Sequence, residues 1–410
     1  MRAVNGKILF VSPGYFRGDD APHMQRDAFR YVQYLERTGR SARLLLLSEP
    51  TCLKKPSDPR LAAAPYEKWT DPTFWESFDS DTVMMYSYGG LSPRKMLPVF
   101  QAIRDAGARI FFQMDAGLGL PAFPYRCWTM FKRRYWWARW RFRPVVPSVV
   151  RASTQILRWA WGDSARFVCR KLLPLCDSIR VESPVARENT RNRLIALGHP
   201  ETANRVVFAP HPVPEAFAWN GGATTKVKRI LCVARDWRSP LKGGTLLSKA
   251  FSMVLPGTGW KAIVIGDASR DVARRSGLDE SVVETRPRLP SELVAALFRE
   301  SSILVTASGA ETGPIVVWEA LAAGCSVVFP PELAQLEPLV GWNVATMSRH
   351  RSSRSLARAL SVEMKAWDAG LRNPDHIARE VGTKALVAEL SQSLFRMAPI
   401  RRDCNDRAMR

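Results

Sequence analysis

"SSILVTASGAETGPIVVWEALAAGCSVVFPPE", residues 301–332, changes its conformational preference three times. "SSILVTAS" is an apolar run of strand length, "GAETG" is turn chemistry, the stretch from Pro314 to Gly324 is helical, and "CSVVFPPE" begins another strand. Pro314 suits the first helical turn, where its missing N–H would have no intrahelical acceptor, and Gly324 closes the helix. Strand, loop, helix, strand is the unit of a parallel α/β sheet. Two carboxylates interrupt this apolar segment. Glu311 falls in the loop, beside the N–H groups and positive dipole end of the helix, where an anion such as phosphate is favoured. Glu319 falls about a turn and a half inside, among Ile315, Val316, Val317, Trp318, Ala320 and Leu321, where a carboxylate is costly unless something polar meets it.

The same unit recurs on both sides. "KILFVS" (Lys7 to Ser12) reads as a strand ending at "PG", followed by the periodic "HMQRDAFRYVQYLERTG" and then "ARLLLLS". "TVMMYSYGG", the helical "PRKMLPVFQAIRDAG" and "ARIFFQMD" repeat it, with strands apolar on both faces as parallel sheets require. "HPVPEAFAWNGGATTK" (His211 to Lys226) has no periodicity and reads as an interdomain linker. Beyond it, "KRILCVARD", "GWKAIVIGD", "SSILVTAS" and "CSVVFPPE" alternate with helical patterns. The expected organisation is a Rossmann-like domain over 1–207, a linker over 208–226, a second Rossmann-like domain over 227–396 and a basic tail over 397–410. At 410 residues the chain exceeds what one core usually organises. Two such domains turn the carboxyl ends of their sheets toward a common cleft, where open α/β sheets bind ligands.

Composition narrows the class of partner. The chain is 46% hydrophobic and 24% charged, an ordinary globular balance, but its net charge of +22 and pI of about 10.2 call for an anionic partner. Its seven cysteines are widely spaced, with no C-x-x-C pair, and read as reduced thiols of a cytoplasmic protein. The apolar run in "MRAVNGKILFVSPG" is too short for a signal peptide, and no stretch approaches the roughly 18 apolar residues of a membrane span.

The Glu-x7-Glu spacing inside "ETGPIVVWEALAAGCSVV" resembles the signature of the family 4 retaining glycosyltransferases, whose GT-B fold consists of two facing Rossmann-like domains with an interdomain donor cleft. "LCVARDWRSPLKGG" is similar to that family's strand-end arginine followed by Lys-Gly. The resemblance covers roughly Lys228 to Arg396, and the N-terminal half more loosely. It implies that Glu311 meets the donor sugar, that Glu319 holds the ribose, and that the helix start at Thr312, Gly313 and Pro314 cradles the diphosphate. Arg235 and Lys242 would then stabilise the charge that develops on the leaving diphosphate, without a metal. The nucleotide sugar is a substrate, and no cofactor is implied.

The N-terminal half departs from the family. In place of a Gly-Gly loop after the first strand there is "SPGYFRGDD", in which Gly14 is the nearest counterpart. Where the family often has a histidine near the sugar, "FFQMDAGLG" offers Asp115. His23, in the loop after the first strand, reads as an incidental polar residue. "FDSD" (Phe78 to Asp81) has the form of a metal-binding Asp-x-Asp but precedes its strand, which makes it a turn. The plainer alternative for the carboxylates is a solvated Glu311 and a Glu319 paired with an arginine of this Arg-rich chain; for Arg235 and Lys242 it is a surface ion pair.

Residues 125–171 hold twelve basic residues against one acid, Asp163, and six of the fourteen tryptophans. Tryptophan favours the membrane interface and arginine pairs with lipid phosphate, so the segment suits an anionic leaflet. An aromatic seam packed on the core, or a clamp for single-stranded nucleic acid, would have the same composition. Because no nucleic-acid module is recognisable, no nucleic acid is expected as a partner. The expected function is transfer of a sugar from a nucleotide donor to a lipid-linked or polysaccharide acceptor, at the cytoplasmic face of a membrane. The other readings are a glycosyltransferase-like binding protein without transfer and a polyanion-binding protein using residues 125–171.

Overall fold

The computed structural model describes residues 7–20, 27–48, 54–87, 91–114, 164–221, 225–309, 311 and 313–396. The first half forms a seven-stranded, all-parallel sheet in the order β3-β2-β1-β4-β5-β6-β7. Its strands are β1 (Ile8–Phe16), β2 (Arg43–Ser48), β3 (Leu61–Ala64), β4 (Thr82–Tyr86), β5 (Arg109–Met114), β6 (Ser178–Val181) and β7 (Val206–Phe208), with helices α1 (Asp27–Arg37), α2 (Pro93–Asp105) and α3 (Pro184–Ala196) among the connections. The second half forms a six-stranded parallel sheet, β10-β9-β8-β11-β12-β13. It contains β8 (Val227–Asp236), β9 (Lys261–Asp267), β10 (Val283–Arg286), β11 (Ser301–Val305), β12 (Ser326–Phe329) and β13 (Ala345–Met347). Helices α4 (Gly244–Val254), α5 (Ser269–Ser276), α6 (Ser291–Glu300), α7 (Ile315–Ala322) and α8 (Ser353–Asp368) accompany them, and α9 (Val387–Arg396) ends the described chain. Both strand orders are the doubly wound pattern, so the expected α/β architecture of two Rossmann-like sheets is present.

The sequence pattern explains the layers. In β2, Leu44 and Leu46 face one core while Leu45 and Leu47 face the other, the period of a strand covered on both sides. Ser92 and Ser183 cap α2 and α3 by accepting from the N–H groups of Lys95 and Ala186, and each helix has proline at its first position.

Three features differ from the sequence reading. The first strand does not end at Ser12 but continues through Pro13 and Gly14 to Phe16. Its pairing with β2 shifts between Ser12 and Tyr15, so the proline sits in an irregularity where no ladder N–H is needed. Gly14 is therefore a buried strand residue and not part of an open loop. The connection after β7 is firmly packed: Val213 is fully buried, and it exchanges backbone hydrogen bonds with the returning chain, Val213 N–H to Ala385 O at 2.8 Å and Val387 N–H to Val213 O at 2.9 Å. Lys226, at its far end, donates to the carbonyls of Phe298 (2.9 Å) and Ala323 (2.6 Å), and burial lowers its pKa. Finally, α9 falls within the range expected for the second domain but packs on the first. Val387, Leu390 and Leu394 join Phe10, Phe29, Tyr31 and Val32 in one core.

Cys169, Cys176, Cys232 and Cys325 are buried and stand outside any disulfide. Among the described residues, no helix is long and apolar enough to cross a membrane, and no cluster of metal-ligating side chains occurs. "FDSD" is a turn, as expected: Asp79 has positive φ and its carboxylate pairs with Lys7 at 2.5 Å, while Asp81 accepts from the Lys7 N–H at 3.1 Å. Residues 115–163, most of the basic aromatic segment, lie outside the described residues. Of its end, Cys169 is buried in the core of the first domain with the neighbouring Leu172 and Leu173.

Candidate active site

The loop between β11 and α7 lies at the carboxyl end of the second sheet, and two close approaches fix it. Gly309 N–H donates to Leu241 O at 2.7 Å, which ties the loop to the turn carrying Lys242. Gly243 follows in the left-handed region, φ 70°, with its backbone against Ala307. A side chain there would overlap the Ala307 carbonyl, so the Lys-Gly pair has a structural reason: glycine lets the lysine reach the loop. Lys242 Nζ meets Glu311 Oε1 at 2.5 Å, and the Glu311 carbonyl accepts from Gln335 Nε2 at 3.2 Å. The structure thus brings together two of the residues singled out from sequence.

Arg235 is exposed at the end of β8, and its guanidinium forms no ion pair with the described residues. Its carbonyl accepts from Arg288 Nε at 3.2 Å, and Arg288 in turn pairs with Asp267 at 2.5 Å. Asp115, Thr312 and His23 lie outside the described residues. Pro314 precedes α7 as its cap, and Gly324 follows it with φ 75°.

Glu319 is buried in α7, and it is met by an arginine: Arg30 Nη2 of α1 lies 3.1 Å from its Oε1. The arginine partner expected in the plainer alternative is thus present on one of its two carboxylate oxygens. Burial raises its pKa, Asp27 adds to that, and Arg30 and His211 oppose it.

Beside this pair is a polar cluster that sequence reasoning missed. His211, 6% exposed, directs Nδ1 to Asp27 Oδ2 and Nε2 to Glu182 Oε1 at 3.2 Å. Burial alone would lower the imidazole pKa, but the two carboxylates outweigh it and hold the value well above the ordinary range. Asp27 opens α1, Glu182 follows β6 and His211 follows β7, so all three stand at the carboxyl end of the first sheet. Gly313 of the second domain packs directly on them, since a Cβ there would overlap His211 Nε2 and Glu182 Oε2. Arg180, two residues before Glu182, is 1% exposed and faces Tyr31, whose hydroxyl burial pushes up to about 12 against the arginine's opposing charge. The signal available was "SIRVES", a strand expected to be apolar on both faces that carries Arg180 and Glu182 with period two.

The two sheets therefore meet at their carboxyl ends. The contact gathers Arg30, His211 and Glu182 from one side and Gly313 and Glu319 from the other.

Comparison with known proteins agrees with this architecture. Residues 227–361 match the family described as "Glycosyl transferases group 1". No curated protein matches the chain in sequence. Among solved structures, a glycosyltransferase from Rickettsia africae ESF-5 superposes with a TM-score of 0.59 at 13% identity, over 97% of this chain and 99% of that one. The α,α-trehalose 6-phosphate synthase of Burkholderia multivorans gives 0.57 at 14% identity, over 98% and 100%. Anabaena Alr3699/HepE, solved in complex with UDP, gives 0.56 at 13% identity, over 95% and 98%. The second domain is thus similar to the group 1 glycosyl transferases over residues 227–361, and the chain as a whole has the GT-B fold.

Proposed function

We propose that the chain is a retaining, metal-independent glycosyltransferase that moves a sugar from a nucleotide donor to a lipid-linked or polysaccharide acceptor. The observation that carries this reading is the 2.5 Å pair between Lys242 and Glu311 at the mouth of α7, with Glu319 buried in the same helix. A departing nucleoside diphosphate gains negative charge as the glycosidic bond breaks. Lys242 and the exposed Arg235 are two cations at the sheet end able to receive that charge, and the N-terminal end of α7 adds its dipole. Glu311, freed from Lys242 as the diphosphate takes the ammonium, is left to accept hydrogen bonds from the sugar. The acceptor hydroxyl attacks the anomeric carbon from the face the diphosphate leaves, and its proton passes to a leaving phosphate oxygen. Anabaena HepE, a structural neighbour, is solved with UDP-glucose, which supports a uridine donor as the first to try. The basic aromatic stretch 125–171 is proposed to hold the protein on an anionic membrane surface, where a lipid-linked acceptor would be presented.

The test is a calorimetric screen of UDP, GDP and ADP sugars, followed by donor hydrolysis or transfer in the presence of EDTA. Glu311→Ala is expected to abolish transfer while nucleotide affinity stays within about threefold, because the residue faces the sugar. Glu319→Gln is expected to weaken nucleotide binding by about 1–3 kcal/mol. Equal, mild effects at both positions, or activity that returns only with added Mg²⁺ or Mn²⁺, would contradict the assignment.

A further inference from the structure

Arg30, on α1 of the first domain, bonds the interdomain connection and the buried carboxylate of the second domain at once. From α1, Nη2 reaches Glu319 Oε1 at 3.1 Å, while Nη1 donates to the Pro212 carbonyl at 2.8 Å. Glu319 Oε2 accepts no hydrogen bond from the described residues, and it is not among the fully enclosed polar atoms that lack partners. One oxygen is pinned across the seam and the other remains open as an acceptor.

We propose that Arg30 is a positioning residue for the nucleotide: it holds Glu319 ionised and oriented from the opposite domain, so that donor affinity is built across both domains. This rests on reading Glu319 as the acceptor of ribose hydroxyls. An ionised carboxylate makes stronger hydrogen bonds to hydroxyls than a neutral acid, and it accepts through every lone pair. The helix alone does not secure that state. Burial raises the Glu319 pKa, Asp27 raises it further, and the adjacent Arg30 charge is the main opposing influence, with a smaller one from His211. The charged residues on the other elements packed against α7 are Glu215, Glu292, Arg379, Glu380 and Lys384, which are exposed, Glu300, which is exposed and paired with Arg229, and Arg299, which turns to the Ala216 carbonyl. Removal of the Arg30 charge therefore raises the carboxyl further and favours its neutral form. The Pro212 contact adds the geometric half: the same guanidinium is braced on the backbone next to His211, so its reach to Glu319 depends on how the two domains sit.

The experiment uses UDP-glucose, GDP-mannose and ADP-glucose, whose diphosphates have no group titrating near neutrality, in calorimetric titrations of the full chain. The wild type is expected to bind its donor with an affinity nearly flat between about pH 6 and about pH 8.5. Arg30→Gln keeps amide donors for Pro212 and Glu319 but not the charge. Its affinity is expected to be lowest at the acidic end and to recover with rising pH, changing by up to about tenfold per pH unit below the carboxyl pKa. Arg30→Lys, which keeps the charge, is expected to restore most of the flat profile, and if Arg30→Gln does not fold, Arg30→Met is titrated in its place with the same acid-side loss expected. A purely structural arginine would lower affinity equally at every pH. That result, or an unchanged affinity, overturns the inference and leaves the donor reading standing, whereas a wild type that binds none of the three overturns both.

Discussion

Gly313 carries no side chain because the first domain already occupies the space. A Cβ there would overlap His211 Nε2 and Glu182 Oε2, both held by buried ionic contacts that cannot swing aside. Gly313→Ala is therefore expected to destabilise the protein by about 1–3 kcal/mol, the usual cost of overpacking a filled site, measured as a shift in urea unfolding midpoint at constant slope. A neutral result would mean that the domains separate readily at this point. The Gly313 backbone is not in the left-handed region, so the effect comes from space and not from φ. At this scale Glu311, Lys242 and Glu319 were legible because their motif is local: glycine, proline and charge recur within one strand-loop-helix unit. Arg30 was not legible, because its contact with Glu319 spans 289 residues and charge pairs at such separations leave no periodic trace in either partner's neighbourhood. His211, alone among prolines, read as linker for the same reason.

The ends of α1, β6 and β7 meet through one imidazolium. The His211 pKa is raised, so the folded state holds the proton more tightly than the unfolded chain. The stabilisation is complete below the unfolded value of about 6.5 and is lost as pH rises through the elevated folded value. Proton–carbon NMR of the imidazole Cε1 position should show His211 still protonated at neutral pH, and thermal stability should fall on the alkaline side of neutrality. Loss of the His211 proton near the unfolded value of about 6.5 would refute this reading. The elements themselves were largely readable, since alternating Leu44 to Leu47 and the capped, proline-led helices obey local rules. Extension of β1 through Pro13 and Gly14 was not, because these two residues signal a turn and only the neighbouring β2 strand draws them into a sheet. Amphipathic periodicity likewise gave α9 an apolar face without saying which domain receives it.

Among the described residues the chain passes from the first domain to the second through residues 209–221 and returns at Leu386–Val387, and the two crossings hydrogen-bond to each other at Val213. The return crossing commits α9 to the first domain. Leu394 is fully buried there with Leu35, Leu390 and the aromatic pair Phe10 and Tyr31, and the Arg40 guanidinium lies 3.9 Å over the adjacent Phe395 ring. The first domain therefore lacks part of its core until the second has been made, an arrangement that ties the stability of the two together across the seam. Leu394→Ala is expected to cost about 2–5 kcal/mol, the range for deleting a buried leucine side chain. Where that loss appears is the informative part. Hydrogen exchange should accelerate in α1 and β1, which pack with α9, before it does in α4 and α8, which form a separate core on the second sheet. If α8 loosened first, α9 would belong energetically to the second domain despite its contacts. If both domains loosened together, the hydrogen-bonded crossings at Val213 would be transmitting the loss, and Val213→Pro, which removes the N–H donated to Ala385, should then produce the same global response with the α9 core untouched.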